Sequence, residues 1–309
     1  MKTAEIERVS ILKQNYIIII IEQFLMTKRA ENLSQNTQDF YKKELTLFHT
    51  FTESRLLKTV EDIHPEDLRA FLLWLEQQGH NPGGIHAAFR AMKTFMLWYE
   101  SEFEPENWKN PIRKVKAPKL AKEPIQGIEI TSFEKLLAAC TGRKFNALRD
   151  KALFLFLFDT GARANEALDI DLPDCDLIAG KALIRQGKGR KPRTVYIGRK
   201  TRKAIRQYLG IRADNNPALW LTDDGDRLGY TGLRLAIQRR ALRAGLGEIP
   251  TPHDFRRAFA LEFLRAGGDI FTLQRLMGHA DIAILRTYLA QTDTDIQDGH
   301  NRYGPVDRL

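Results

Sequence analysis

Pro105, Pro111, Pro118 and Pro124 interrupt a chain whose apolar residues otherwise recur at helical spacing, and no other feature constrains the architecture as strongly. Before them, Ser34 stands where a helix cap belongs, ahead of Phe40, Tyr41, Leu45, Phe48 and Phe51. Pro65 suits a first helical turn and precedes Leu68, Phe71, Leu72 and Leu75. After a break at Gly83-Gly84 come Ile85, Phe89, Met92, Phe95, Met96 and Tyr99. Such one-sided stripes pack as core. Beyond the prolines, Phe133, Leu136, Leu137 and Cys140 open a second helical section. Ala152–Phe158 is apolar on all sides, as in a buried helix, and helical stripes then run to about Ala290. With 309 residues there is chain enough for two domains that need no staple. The reading is a helical N-terminal domain over 1–104, a basic linker over 105–127, a second domain over 128–290 and a polar tail over 291–309.

One stretch departs from helical spacing. Ala182–Arg185 and Thr194–Ile197 flank Gly187-Lys188-Gly189-Arg190-Lys191-Pro192, which predicts a β-hairpin with a basic tip. Gly187-Lys188-Gly189 is no phosphate loop, because Ala182 stands where its first glycine belongs and Gly189 where Ser or Thr should be. Two cysteines, Cys140 and Cys175, exclude a four-cysteine zinc site and a disulfide-rich scaffold. The Ile17–Ile21 run lies between Tyr16 and Glu22, too short to span a bilayer. The first residues lack the apolar core of a signal peptide, so a cytoplasmic, nucleoid-associated protein is expected. With no dense Asp/Glu cluster for magnesium ions, neither metal nor cofactor is expected.

The formal charge is +9, and its distribution says more than its size. Lys109, Arg113, Lys114, Lys116, Lys119 and Lys122 form one acid-free run through the prolines. A second runs from Arg185 to Arg206 and takes in Lys188, Arg190, Lys191 and Arg193. Clustering of this kind suits a polyanion. Lys109, Arg113, Lys114, Lys116, Lys119, Arg190, Lys191 and Arg193 are the expected DNA contacts.

The residues with chemical potential are scattered. Arg163 lies in Thr160-Gly161-Ala162-Arg163-Ala164-Asn165-Glu166, just after the buried helix. His253 and Arg256 are three apart at the start of another helix. Gly278-His279 ends a further one, and Tyr288 follows nine residues later. In this order, with Lys188 in the hairpin, the sequence resembles the tyrosine recombinases, the phage-integrase and Xer family. Leu33-Ser34, Asn36-Thr37, Tyr41 and Asn110-Pro111 extend the resemblance to that family's core-binding domain. Two departures stand out: Arg257 where a second histidine is usual, and Phe255 where leucine is usual.

The resemblance implies a mainly α fold of two lobes that clamp DNA. One is a helical, SAM-like core-binding domain, and the other a mostly helical catalytic domain with a small antiparallel sheet. It implies that Tyr288 attacks a phosphodiester and forms a 3′-phosphotyrosine. Arg163, Arg256 and His279 would hold the non-bridging oxygens, as planar guanidiniums do well. His253 would take the tyrosine proton, and Lys188 would give one to the 5′-oxygen. The implied partners are double-stranded DNA and further copies of the chain, as a tetramer on two sites. The implied function is site-specific recombination: integration or excision of a mobile element, or resolution of chromosome dimers. The Arg302, Pro305-Val306-Asp307-Arg308-Leu309 ending favours the first. Two alternatives share parts of this pattern: a type IB topoisomerase-like enzyme and a non-catalytic DNA-binding accessory protein.

Overall fold

The computed structural model describes residues 16–120, 127–185 and 192–278, with positions 297, 300, 301, 304 and 306. The chain divides into two compact units, Met1–Lys122 and Glu123–Leu309.

Among the described residues, the first unit packs four α-helices around aromatic rings. In α1 (Ile17–Ala30) the short isoleucine run is core: Ile17, Ile20, Ile21 and Phe24 are buried at helical spacing. Phe24 meets Tyr41, Phe95 and Trp98 edge-on, with centroids 5.2, 5.7 and 5.3 Å away. α2 (Gln35–Ser54) begins as the sequence predicts, the Ser34 side chain accepting from the Thr37 N–H. α3 (Pro65–Gln77) carries Pro65 in its first turn and buries Leu68, Phe71 and Leu75. α4 (Pro82–Phe103) corrects one expectation. Gly83 and Gly84 are not a break but its first turn, because Asn81 caps the helix by accepting from the Gly84 N–H at 2.7 Å.

The proline-rich segment is packed in its first half. Buried Asn110 donates to the Met96 carbonyl at 2.8 Å and accepts from the Ile112 N–H at 3.1 Å. The short 3₁₀ turn Pro111–Lys114 follows, and Ile112 and Val115 join the aromatic core of the first unit. Four residues of 3₁₀ helix are too few to show a period, so sequence patterning passes over them.

In the second unit, α5 (Ile130–Ala138) precedes α6 (Phe145–Thr160), which buries residues on every side, as the apolar run predicts. Short α7 (Ala164–Leu168) is fixed by Trp220, whose indole N–H donates to the Ala167 carbonyl at 2.9 Å. Strands β1 (Cys175–Asp176), β2 (Lys181–Ile184) and β3 (Arg193–Tyr196) form an antiparallel sheet in that order. Ala182 pairs with Val195, so β2 and β3 are the predicted hairpin. β1, with two residues, is too short to alternate visibly. α8 (Arg199–Leu209), α9 (Tyr230–Arg243), α10 (Pro252–Arg265) and α11 (Ile270–Met277) follow. No described helix is long and apolar enough to cross a membrane.

A buried ion cluster cross-links this unit. The Asp150 carboxylate accepts from Arg149 at 2.7 Å and from Arg240 of α9 at 2.9 Å. Arg149 and Arg240 also donate to the carbonyls of Leu221 and Ala139. Removing the carboxylate takes the counter-charge from buried Arg240 and leaves buried Arg149 with the more distant Asp223, at 3.9 Å, a loss of about 3–5 kcal/mol. Asp150→Ala is therefore expected to lower the unfolding free energy from urea titration by that amount, and an unchanged midpoint would contradict it.

Candidate active site

Two helices of the second unit end in the same way. α6 ends at Gly161 with φ +59°, and α11 ends at Gly278 with φ +63°, both left-handed. A side chain at Gly161 would also collide with the Phe259 ring, and one at Gly278 would lie 2.9 Å from Cδ of Arg193. Arg256, buried on α10, joins the two turns. Its Nη1 donates to the Gly161 carbonyl at 2.5 Å and its Nη2 to the Met277 carbonyl at 2.8 Å. Those carbonyls lie two residues before Arg163 and His279 in the sequence. Segments far apart in the sequence, at Gly161 and Met277, are thus held by one guanidinium.

Arg163 is the N-cap of α7, and Glu166 on the next turn closes back onto it. The Glu166 carboxylate accepts from the Arg163 backbone N–H and from its Nη1, each at 2.8 Å. It also takes a forked pair from Arg193 of β3, at 2.8 and 2.7 Å. The Arg193 Nε donates to the Leu276 carbonyl at 3.3 Å, in the last turn of α11. Burial alone would raise the Glu166 pKa. The hydrogen bonds from Arg193 and the Arg163 backbone outweigh it and hold the group down at about 2.

His253 lies in the first turn of α10, set by the Thr251–Asp254 cap, in which Asp254 accepts from the Thr251 N–H at 2.7 Å. Its pKa is lowered, first by desolvation and then by the positive charges of Arg257 and Arg256, with Arg163 adding to them. The neutral imidazole is thereby favoured. Phe255, one of the two departures from the family pattern, is core, edge-on to Phe133. Arg257, the other, donates to Asp254 at 3.2 Å.

Of the predicted catalytic residues, Arg163, His253 and Arg256 come together around the two glycine turns. Lys188, His279 and Tyr288 lie outside the described residues, as do Arg190, Lys191 and most of the tail. Lys109, Lys114, Lys116 and Lys119 are exposed. Arg113 is exposed too, but its guanidinium is forked onto Glu100 at 3.1 and 2.8 Å. Arg193, expected to contact DNA, is turned inward onto Glu166 and Leu276 instead. A buried carboxylate one strand away captures it, and a count of charges along the sequence cannot show that. Glu166 lies three residues after Arg163, but nothing in the sequence order points to Arg193 as its partner.

Family models and relatives agree on what this assembly is. Residues 20–103 match the N-terminal SAM-like domain of phage integrases, and residues 128–295 match the phage integrase family. Tyrosine recombinase XerC of Azotobacter vinelandii is 31% identical over 275 residues, covering 87% of this chain and 90% of the relative. Tyrosine recombinase XerD of Staphylococcus saprophyticus is 26% identical over 293 residues, covering 93% and 98%. Among solved structures, a Tn1549 transposon integrase in complex with circular intermediate DNA superposes with a TM-score of 0.75 at 16% identity, covering 93% of this chain and 99% of that one. XerH recombinase bound to difH substrate gives 0.69 at 21% identity, covering 93% and 84%. At such identities the structural matches show the fold. The class is that of enzymes that cut and rejoin DNA at specific sites. The chain belongs to the phage integrase family, as a tyrosine recombinase.

The Glu166 geometry has a pH signature. Its carboxyl has a pKa of about 2 in the folded chain against an ordinary 4.5, so the ionised form favours folding. That contribution is complete above the ordinary value and is lost as pH falls from there towards 2. Glu166→Gln is expected to cost on the order of 3 kcal/mol near neutral pH. In urea titrations at several pH values the gap from wild type should shrink below pH 4.5; a constant gap would contradict the ion-pair account.

Proposed function

We propose that this recombinase breaks one DNA strand by attack of the Tyr288 hydroxyl on a backbone phosphorus, held by Arg163, Arg256 and His279. The P–O bond to the 5′-oxygen breaks as the P–O bond to tyrosine forms. The product is a 3′-phosphotyrosine and a 5′-hydroxyl. The tyrosine proton passes to His253, directly or through a water, and Lys188 supplies the proton that the 5′-oxygen needs. Rejoining is the reverse: a 5′-hydroxyl from a partner strand attacks the phosphotyrosine and frees Tyr288. The bond energy is conserved in the intermediate.

The observation that carries this reading is the pairing of Gly161 and Met277 through Arg256. It supports a single centre for the turn that bears Arg163 and the turn that leads to His279. Charge builds on the non-bridging oxygens in the transition state, and fixed donors there lower the barrier without reorganising. His253 suits the base role because its neighbours favour the neutral ring. Double-stranded DNA is the substrate, and the exposed Lys109, Lys114, Lys116 and Lys119 are assigned to its phosphates. Exchange between two sites calls for a tetramer, acting in the cytoplasm on the nucleoid. The mobile-element role rests on the C-terminal sequence alone, while the named Xer relatives favour dimer resolution.

The direct test is Tyr288→Phe on a nicked suicide substrate. The variant should bind DNA as wild type does but leave no covalent adduct on a denaturing gel; an adduct that persists would remove Tyr288 from the role. The base assignment is tested by pH. A histidine with a lowered pKa stays neutral to below the ordinary 6.5 and loses its basic form only at lower pH. Single-turnover cleavage should therefore fall off below pH 6.5 in wild type. His253→Gln should cleave roughly 10²-fold more slowly and lack that acidic limb, whereas retention of the limb would point to another group.

A further inference from the structure

Glu166 is one buried carboxylate shared by two arginines that belong to different parts of the unit. Arg163 begins α7, and Arg193 begins β3, the strand that follows the Lys188 connection. Arg193 gives Glu166 both Nη groups, at 2.8 and 2.7 Å, whereas Arg163 gives its side chain through Nη1 alone, at 2.8 Å. Arg193 is also the group that a side chain at Gly278 would strike, and its Nε reaches the Leu276 carbonyl. Three segments therefore meet on this guanidinium: the α7 cap, β3 and the last turn of α11.

We propose that Arg193 is a positioning residue for strand cleavage, acting by competing with Arg163 for the Glu166 carboxylate. The proposal rests on Arg163 as a phosphate-holding residue. A carboxylate has lone pairs for about four donors. With Arg193 occupying both oxygens, Arg163 keeps one side-chain bond to Glu166, and the rest of its fork is directed elsewhere. Without Arg193, the buried anion is left with Arg163 as its counter-charge among the described residues. The two close into a forked pair of their own, because leaving a buried charge half-compensated is costly. Arg163 is then drawn off the phosphate. Arg193 would thus set how far Arg163 is committed to the protein and how far to the DNA, without touching DNA itself.

The competition is readable in a double-mutant cycle. Single-turnover cleavage at saturating DNA would be measured for Arg193→Gln, Glu166→Gln and the double variant. Each would be run on ordinary DNA and on DNA with sulfur at the 5′-bridging position, with melting temperature and DNA affinity measured alongside. Arg193→Gln should cleave at least tenfold more slowly on both substrates while binding DNA within twofold of wild type. The sulfur does not help, because the defect lies in holding the phosphate and not in protonating the leaving group. Adding Glu166→Gln removes the anion that captures Arg163, so the double variant should cleave at least fivefold faster than Arg193→Gln. The double variant buries no unpaired charge and remains readable even where Arg193→Gln folds poorly. Wild-type cleavage by Arg193→Gln, recovery of its rate with the sulfur substrate, or a double variant no faster than Arg193→Gln would each overturn the proposal. Arg163→Lys separates this from the underlying reading. Unimpaired cleavage by that variant overturns the catalytic assignment of Arg163, and with it the proposal. Impaired cleavage there, together with an unimpaired Arg193→Gln, overturns only the role of Arg193.

Discussion

Everything near the candidate site hangs on a guanidinium whose two Nη groups donate to backbone carbonyls. Arg256 spans from the Gly161 carbonyl to the Met277 carbonyl. Both acceptors lie at helix C-termini, where backbone carbonyls lack helical partners and carry partial negative charge. A buried cation is tolerable there because the two turns solvate it in place of water. The dependence is mutual: the turns need a donor and the arginine needs acceptors. Neither α6 nor α11 could shift along its axis without breaking one of these bonds.

This arrangement explains why the groups are so far apart in sequence. A turn that must reverse direction tightly and approach a neighbour closely needs glycine, and both turns have it. The residues just past such turns are held by the ends of rigid helices, not by long loops. Glu166 adds a second tie between Arg163 and β3. The site is thus framed by backbone geometry first and by charge second.

The helices were legible because their signals are local. Ser34, Pro65 and the Phe48-Phe51 stripe each act within a turn or two of themselves, and the structure agrees with them. The Gly83-Gly84 misreading shows the limit, since the Asn81 cap two residues earlier decides where the helix starts. Arg163, His253 and Arg256 were legible from their order, through resemblance to a family. What stayed hidden was pairing across distance. Arg193 sits in an acid-free run, and its true partner is 27 residues earlier. The Asp150 cluster draws Arg240 from 90 residues away. Charge pairing over such separations has no periodicity to betray it.

Internal pairing also changes what the net charge of +9 means for salt sensitivity. Binding to DNA weakens with salt because each protein cation that meets a phosphate releases a condensed counterion. A guanidinium that already holds a carboxylate cannot join that exchange freely, since the carboxylate would then need a counterion of its own. Arg193 on Glu166, Arg113 on Glu100 and Arg149 and Arg240 on Asp150 are in that position. Those arginines therefore add less to the ionic-strength dependence of DNA affinity than a formal charge of +9 suggests.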